Sequence, residues 1–161
     1  MRKVICLGWM FILIFSLSST GFSKEIKIKP KNIISVRPIA FVLGTVNGQY
    51  ERMILPRMSF VIGVNFVMQR EVIGIGGAIG IKQYFSPKAP EGVWVGISGA
   101  IASVSTPYGS AEGFGGTIGS GYRVLIANCF NIEVSLNISL ITALGEVGIT
   151  PGATFKMGYA F

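Results

Sequence analysis

Apolar and polar residues alternate one for one from Phe130 to Thr142. Phe130, Ile132, Val134, Leu136, Ile138 and Leu140 share one parity, with Asn131, Glu133, Ser135, Asn137 and Ser139 between them. A period of two puts one set on each face of a single β-strand. The last residues repeat the pattern, with Phe155, Met157, Tyr159 and Phe161 against Thr154, Lys156, Gly158 and Ala160. The same reading from Asn32 onward predicts eight extended segments, near 32–44, 46–53, 58–68, 73–85, 92–104, 113–126, 130–142 and 150–161. No segment carries a sustained helical period, and Gly, Pro or Asn clusters separate the strands. Met58, Phe60, Ile62, Val64, Phe66 and Met68 line one face of the third segment. In the fourth, Ile73, Ile75, Ile79 and Ile81 alternate with Gly74, Gly76, Ala78, Gly80 and Lys82.

Eight strands, each with several bulky apolar residues on one face, carry too much volume for the inside of an eight-stranded barrel, which side chains only just fill. The small and polar face suits that narrow space. The expected fold is therefore an all-β, eight-stranded antiparallel up-and-down barrel with its bulky face outward. Such a surface needs a bilayer rather than water, and closure leaves no backbone edge unpaired in lipid. Segments near ~9–11 residues are long enough to span when tilted. The turns after even strands read as tight: Ile54 to Arg57, Ser86 to Glu91, and Ala127 to Cys129. The longest connections at the other end are Ser105 to Glu112 and Ala143 to Gly148.

Composition supports a non-aqueous setting. Of 161 residues, half are hydrophobic and 13% charged, with 22 glycines and no histidine or aspartate; a soluble domain carries about a quarter charged. The formal charge of +7 loses its meaning once located. Arg2 and Lys3 open an apolar run, Val4 to Leu17, followed by small residues at Gly21-Phe22-Ser23. This is the form of a secretory signal peptide over 1–23, too short to span as an anchor. Lys24, Lys27, Lys29 and Lys31 form a basic lead-in over 24–31. From Asn32 onward eight basic residues face six acidic ones, so no dense basic face for nucleic acid is present. Cys6 lies in the leader, which leaves Cys129 as one thiol with no disulfide, metal cluster or Cys-His pair to join. Gly74 to Gly80 echoes Gly113 to Gly119, but neither copy completes a nucleotide-binding glycine loop. No cofactor is expected.

With the terminal Phe155-x-Met157-x-Tyr159-x-Phe161 in place, the chain resembles the small outer-membrane barrels of the OmpA/OmpX type. That ending looks like the strand by which the outer-membrane assembly machinery recognises its clients. Tyr50-Glu51-Arg52 and Tyr84-Phe85-Ser86-Pro87-Lys88-Ala89-Pro90-Glu91-Gly92 are similar to a family of small bacterial outer-membrane barrels of unknown function, over roughly residues 32–161. The resemblance implies a cell outer-membrane location and contributes no catalytic residues.

On this reading Tyr50, Phe60, Phe85, Phe130, Tyr159 and Phe161 are interfacial aromatics, with Tyr50 facing Phe60 if the second turn centres on Leu55. The inward face carries Glu51, Lys82, Arg123, Glu133 and Lys156 at similar depth. Arg123 is expected directly opposite Glu133, with Lys156 approaching Glu133 diagonally. Tyr84 and Trp94 should oppose each other and block the lower lumen. A salt-bridged plug is expected, because an isolated buried ion costs several kcal/mol; a small-ion or proton path is the functional alternative. The expected role is structural or interactive, without catalysis, in contact with the lipid bilayer. One alternative is a soluble secreted barrel that turns its bulky face inward around an apolar ligand. A lipid-modifying enzyme on the same scaffold is a further alternative, disfavoured because that chemistry usually wants a histidine beside a serine or metal.

Overall fold

The computed structural model describes residues 30–69, 71–143 and 146–161. The segment 1–23 expected to be a leader, and all but Pro30 and Lys31 of the expected lead-in, lie outside these residues. Eight antiparallel strands close a barrel in sequence order: β1 Asn32–Val36, β2 Thr45–Leu55, β3 Met58–Gln69, β4 Val72–Tyr84, β5 Gly92–Thr106, β6 Gly109–Ile126, β7 Phe130–Ala143 and β8 Glu146–Ala160. Each strand pairs with its neighbours in the chain, and β8 returns to β1. The end residue locks this closure: Asn32 N–H donates to Phe161 O at 2.9 Å, and Phe161 N–H to Asn32 O at 2.8 Å.

Walking perpendicular to the strands from Val36 passes Gly48, Val64, Gly77, Ile101, Phe114 and Thr142, and reaches β8 at Val147. Val36 itself pairs with Met157, so the walk closes with a stagger of ten residues. At ~3.3 Å per residue and ~4.8 Å between strands, that stagger tilts the strands by roughly 40°. The β6–β7 turn at the lower end is tight, three residues between Ile126 and Phe130. Ala127 (φ 53°) and Asn128 (φ 59°) both adopt the left-handed conformation, and Cys129 N–H donates to Ile126 O. Two left-handed residues make the turn whose twist matches that of a hairpin.

The side-chain faces follow the alternation, and the core is inverted. Ile75, Ile97, Phe114, Ile118, Leu136 and Ile138 are all more than half exposed on the outside. The largest fully buried side chains include Arg123, Tyr84, Glu51, Glu133 and Asn131. No helix among the described residues is long and apolar enough to cross a membrane, which leaves strand crossings untouched.

Two expectations about the strands need correction. The segment 32–44 is not one strand: β1 stops at Val36, and α1, Pro38–Val42, stands in place of its upper half and packs against β2 and β8. Pro38 lacks an N–H for the ladder and suits a first helical turn; Gly44 (φ +72°) ends the helix, with its N–H on Phe41 O. Tyr50 faces Ile62 rather than Phe60, which pairs with Arg52, because the β2–β3 turn sits on Pro56 and Arg57 rather than on Leu55, with a one-residue bulge between Met53 and Leu55 setting the final register. Both aromatics still point outward near the lower end.

The short β1 leaves a seam. β8 pairs with β1 only from Met157 to Ala160, and above that its second edge has no strand partner among the described residues. Ala160 N–H donates to Cys129 O on the β7 side, while Phe161 N–H donates toward β1. By alternation, the odd residues of β8 direct their N–H groups to the seam. Pro151 falls in this set, and a proline is tolerated in a strand where its missing donor faces an unpaired edge.

Candidate functional site

The buried ion layer is built by five strands, each contributing one charge. Glu51 stands on β2, Lys82 on β4, Arg123 on β6, Glu133 on β7 and Lys156 on β8, all close to the lower end and nearly or fully buried. Register brings three of them side by side, with Glu133 paired to Arg123 on one flank and to Lys156 on the other. The Lys156 approach is therefore direct and not diagonal. Lys156 Nζ reaches Glu133 Oε1 at 2.9 Å, and Arg123 Nη2 donates to Glu133 Oε2.

Length closes the remaining gaps. Arg123 reaches across to β2, with Nη2 at 2.7 Å from Glu51 Oε2 and Nη1 at 3.0 Å from Oε1. Lys82 bridges the two carboxylates, 3.1 Å from Glu51 Oε2 and 2.8 Å from Glu133 Oε2. Neutral groups complete Glu51: the Ser59 hydroxyl donates to Oε1 at 2.7 Å, and the Tyr84 hydroxyl donates to the same oxygen. Both carboxylates are thus met by several donors, which is the condition for keeping an ion in a low-dielectric interior.

Small residues make room for these long ones. Trp94 pairs with Tyr84 on one side and with Gly121 on the other. A Cβ on Gly121 would lie 2.9 Å from Trp94 Cζ2, so the indole lies against bare backbone. Lys82 stands opposite Gly96, whose Cβ would meet Lys82 Cγ at 3.1 Å. Its ammonium sits 4.1 Å above the centre of the Trp94 ring, a cation–π contact. Beside and below the layer, Tyr84, Trp94 and Ala89 form the one cluster of buried apolar side chains among the described residues, with Met53 against it and Pro90 also buried; Trp94 also reaches the space above. The β4–β5 connection therefore folds under the ions and seals the lower mouth. Above the layer is a cavity of about 130 Å³ lined by glycine, serine, threonine and asparagine as well as Lys82, Lys156 and Arg37. Gly148 and Thr150 on the inward parity of β8 are exposed, so the upper lumen is open to solvent.

All five charges proposed from sequence meet in one layer. The aromatic residues Phe60, Phe85, Tyr159 and Phe161 are exposed near the lower end, with Tyr50 and Phe130 half-buried beside them. Tyr159 and Phe161 stack with ring centres 6.2 Å apart. Phe155, Met157 and Tyr159 share the outer face of β8. Sequence reasoning missed the hydroxyls of Ser59 and Tyr84 as ligands of Glu51, Gln49 as an acceptor for Lys156 (2.8 Å), and Arg37 altogether. Parity alone locates Arg37, since Ile33 and Ser35 precede it on the buried face.

Chemically the layer is a clamp. Each carboxylate is held by fixed cations, and no nucleophile stands beside a free base. Among the described residues no group of three His, Cys, Asp or Glu could hold a metal ion. Comparison with known protein families, curated proteins and solved structures finds no match to this chain.

Proposed function

We propose that the protein is an integral outer-membrane β-barrel, exported by a cleaved leader, with a structural or interaction role and an ion-paired lumen closed at its periplasmic end. The observation that carries this reading is the inverted core. Isoleucine, valine, leucine and phenylalanine ring the outside, while arginine, glutamate and lysine fill the inside. Water does not tolerate an apolar belt of that extent, and a bilayer requires one. Strands β3 to β8 run 12 to 18 residues, beyond the ~9–11 that a tilted strand needs. The aromatic residues at the lower end then lie at the periplasmic interface. The outward Phe155, Met157 and Tyr159, with Phe161 after them, are the features offered to the assembly machinery.

A soluble carrier of an apolar ligand needs the opposite arrangement, with greasy walls inside. The sealed floor of ions, Tyr84 and Trp94 also favours a plug over a through-going ion path. Fractionation tests the reading. The native protein should stay with outer membranes through high-salt and carbonate washes, and should run faster on gels before boiling than after. Recovery in an aqueous periplasmic extract without detergent would overturn it.

A further inference from the structure

The lumen holds more positive charge than its own carboxylates neutralise. Between the two rims four cations line the lumen, the buried Lys82, Arg123 and Lys156 and the solvent-exposed Arg37 at the cavity, against Glu51 and Glu133. Lys82 and Arg123 each touch both carboxylates, so two carboxylates and two bridging cations already balance. Arg37 and Lys156 remain in excess. They are neighbours: the register that pairs Val36 with Met157 brings Arg37 to the level of Lys156, and both line the same cavity.

Hydrogen-bond capacity is unbalanced in the same direction. Lys156 spends two of its three donors, on Glu133 and Gln49. The Arg37 guanidinium, with five donors in a fixed fork, is open to solvent and makes no side-chain hydrogen bond or ion pair among the described residues. Gln49 Nε2 and Trp94 Nε1 are buried without an acceptor, and both residues line the cavity. Unspent donors and surplus cations around a polar space call for a ligand that brings acceptors and negative charge. The planar fork of arginine suits the paired oxygens of phosphate or carboxylate. A volume of about 130 Å³ holds a small oxyanion with accompanying water, each water occupying ~30 Å³ in the liquid.

We propose that the upper lumen is a binding site for a small oxyanion group of the phosphate or carboxylate class, held between Arg37 and Lys156 above the ion layer. Two sources share that chemistry. A free anion enters from the open upper mouth. The headgroup of an anionic amphiphile instead enters through the seam beside α1, whose foot lies where β1 leaves β8, next to both cations. The site depends on the barrel interior and not on what surrounds the barrel.

The test uses the chain folded in neutral-detergent micelles, with folding of every variant checked by heat-modifiable gel mobility. Inorganic phosphate is titrated at constant ionic strength, reading the fluorescence of Trp94, the one tryptophan among the described residues, and the unfolding temperature. Dodecyl phosphate doped into the micelles forms the second arm. Saturable binding of inorganic phosphate identifies a free anion; saturation by dodecyl phosphate alone identifies a headgroup. In either case Arg37→Gln should weaken binding at least about tenfold, the loss expected for one charge-assisted contact. Arg57→Gln, on the exposed lower turn, should leave it unchanged. Should Arg37→Gln fail to fold, Arg37→Lys carries the comparison, with weakened but measurable binding. Absence of saturation in both arms, or equal binding by the Arg37 variant and the parent, overturns the proposal.

Discussion

Arg123 and Glu51 stand on β6 and β2, half the barrel apart, yet two guanidinium nitrogens meet two carboxylate oxygens at 2.7 and 3.0 Å. This contact spans the lumen, whereas the Arg123–Glu133 pair only joins adjacent strands. Removing the guanidinium therefore takes a partner from both carboxylates at once, leaving Lys82 as the cation they share. Arg123→Met should lower the unfolding free energy by about 3–5 kcal/mol, the usual cost of leaving a buried charge without its partner. Arg123→Glu should be worse, because it sets a third carboxylate beside Glu51 and Glu133. Adding Glu133→Arg should recover part of that loss and never all, since Glu51 stays facing a carboxylate. Denaturant unfolding in detergent micelles measures the series, and no recovery in the double variant would remove the pair from the account.

The glycines of the two faces should behave differently. A Cβ on Gly121 would lie 2.5 Å from Val134 O and 2.9 Å from the Trp94 ring, and one on Gly158 would collide with Ile34 O at the β1–β8 closure. The outward Gly77 and Gly99 would meet only a backbone oxygen at 4.0 and 3.9 Å. Gly121→Ala and Gly158→Ala should each cost about 1–3 kcal/mol through forced shifts of packed groups. Gly77→Ala and Gly99→Ala should stay within about 0.5 kcal/mol. Near-UV circular dichroism should change for Gly121→Ala, which displaces the indole, and not for the outward pair. Equal costs on both faces would mean the inward glycines are not there for space.

This asymmetry explains what the sequence conveyed and what it withheld. Alternation is a local property, so the faces of β3 to β8 and the shared depth of the five charges could be read from residue spacing. Register is set by turns and bulges. The β2–β3 turn sits on Pro56 and Arg57 instead of Leu55, and with the bulge between Met53 and Leu55 this sets Tyr50 against Ile62 and not Phe60; the direct Glu133–Lys156 pairing needed the seventh turn's placement. α1 has five residues, too few for a helical period to show. Pro38 and Gly44 were its visible marks, but an interrupted strand would contain the same residues. Arg37 was lost with that break, although its parity with Ile33 and Ser35 was already present.

The seam should show in amide exchange. Above Met157 the odd residues of β8 aim their N–H groups at α1 and the space around it, while the even ones bond to β7. In folded protein, the amides of Val147, Ile149 and Ala153 should exchange faster than those of Thr150, Gly152 and Thr154, with no signal at Pro151. Hydrogen exchange read by NMR separates the two sets. Uniform protection along β8 would mean that a further partner covers this edge.

Lipid contact has its own thermodynamic signature, which depends on depth. Leu136 points outward from the middle of β7, and Ile126 points outward at the lower end of β6; both are well exposed. If the belt contacts acyl chains, Leu136→Arg places a guanidinium near the midplane and should cost about 2–4 kcal/mol. Ile126→Arg lies near the interface and should cost at most about 1 kcal/mol. In water neither would be strongly penalised, since an exposed leucine gains little by its position. Refolding into lipid vesicles, followed through urea titration, gives both values. A Leu136→Arg cost no larger than that of Ile126→Arg would place the greasy face somewhere other than the hydrocarbon.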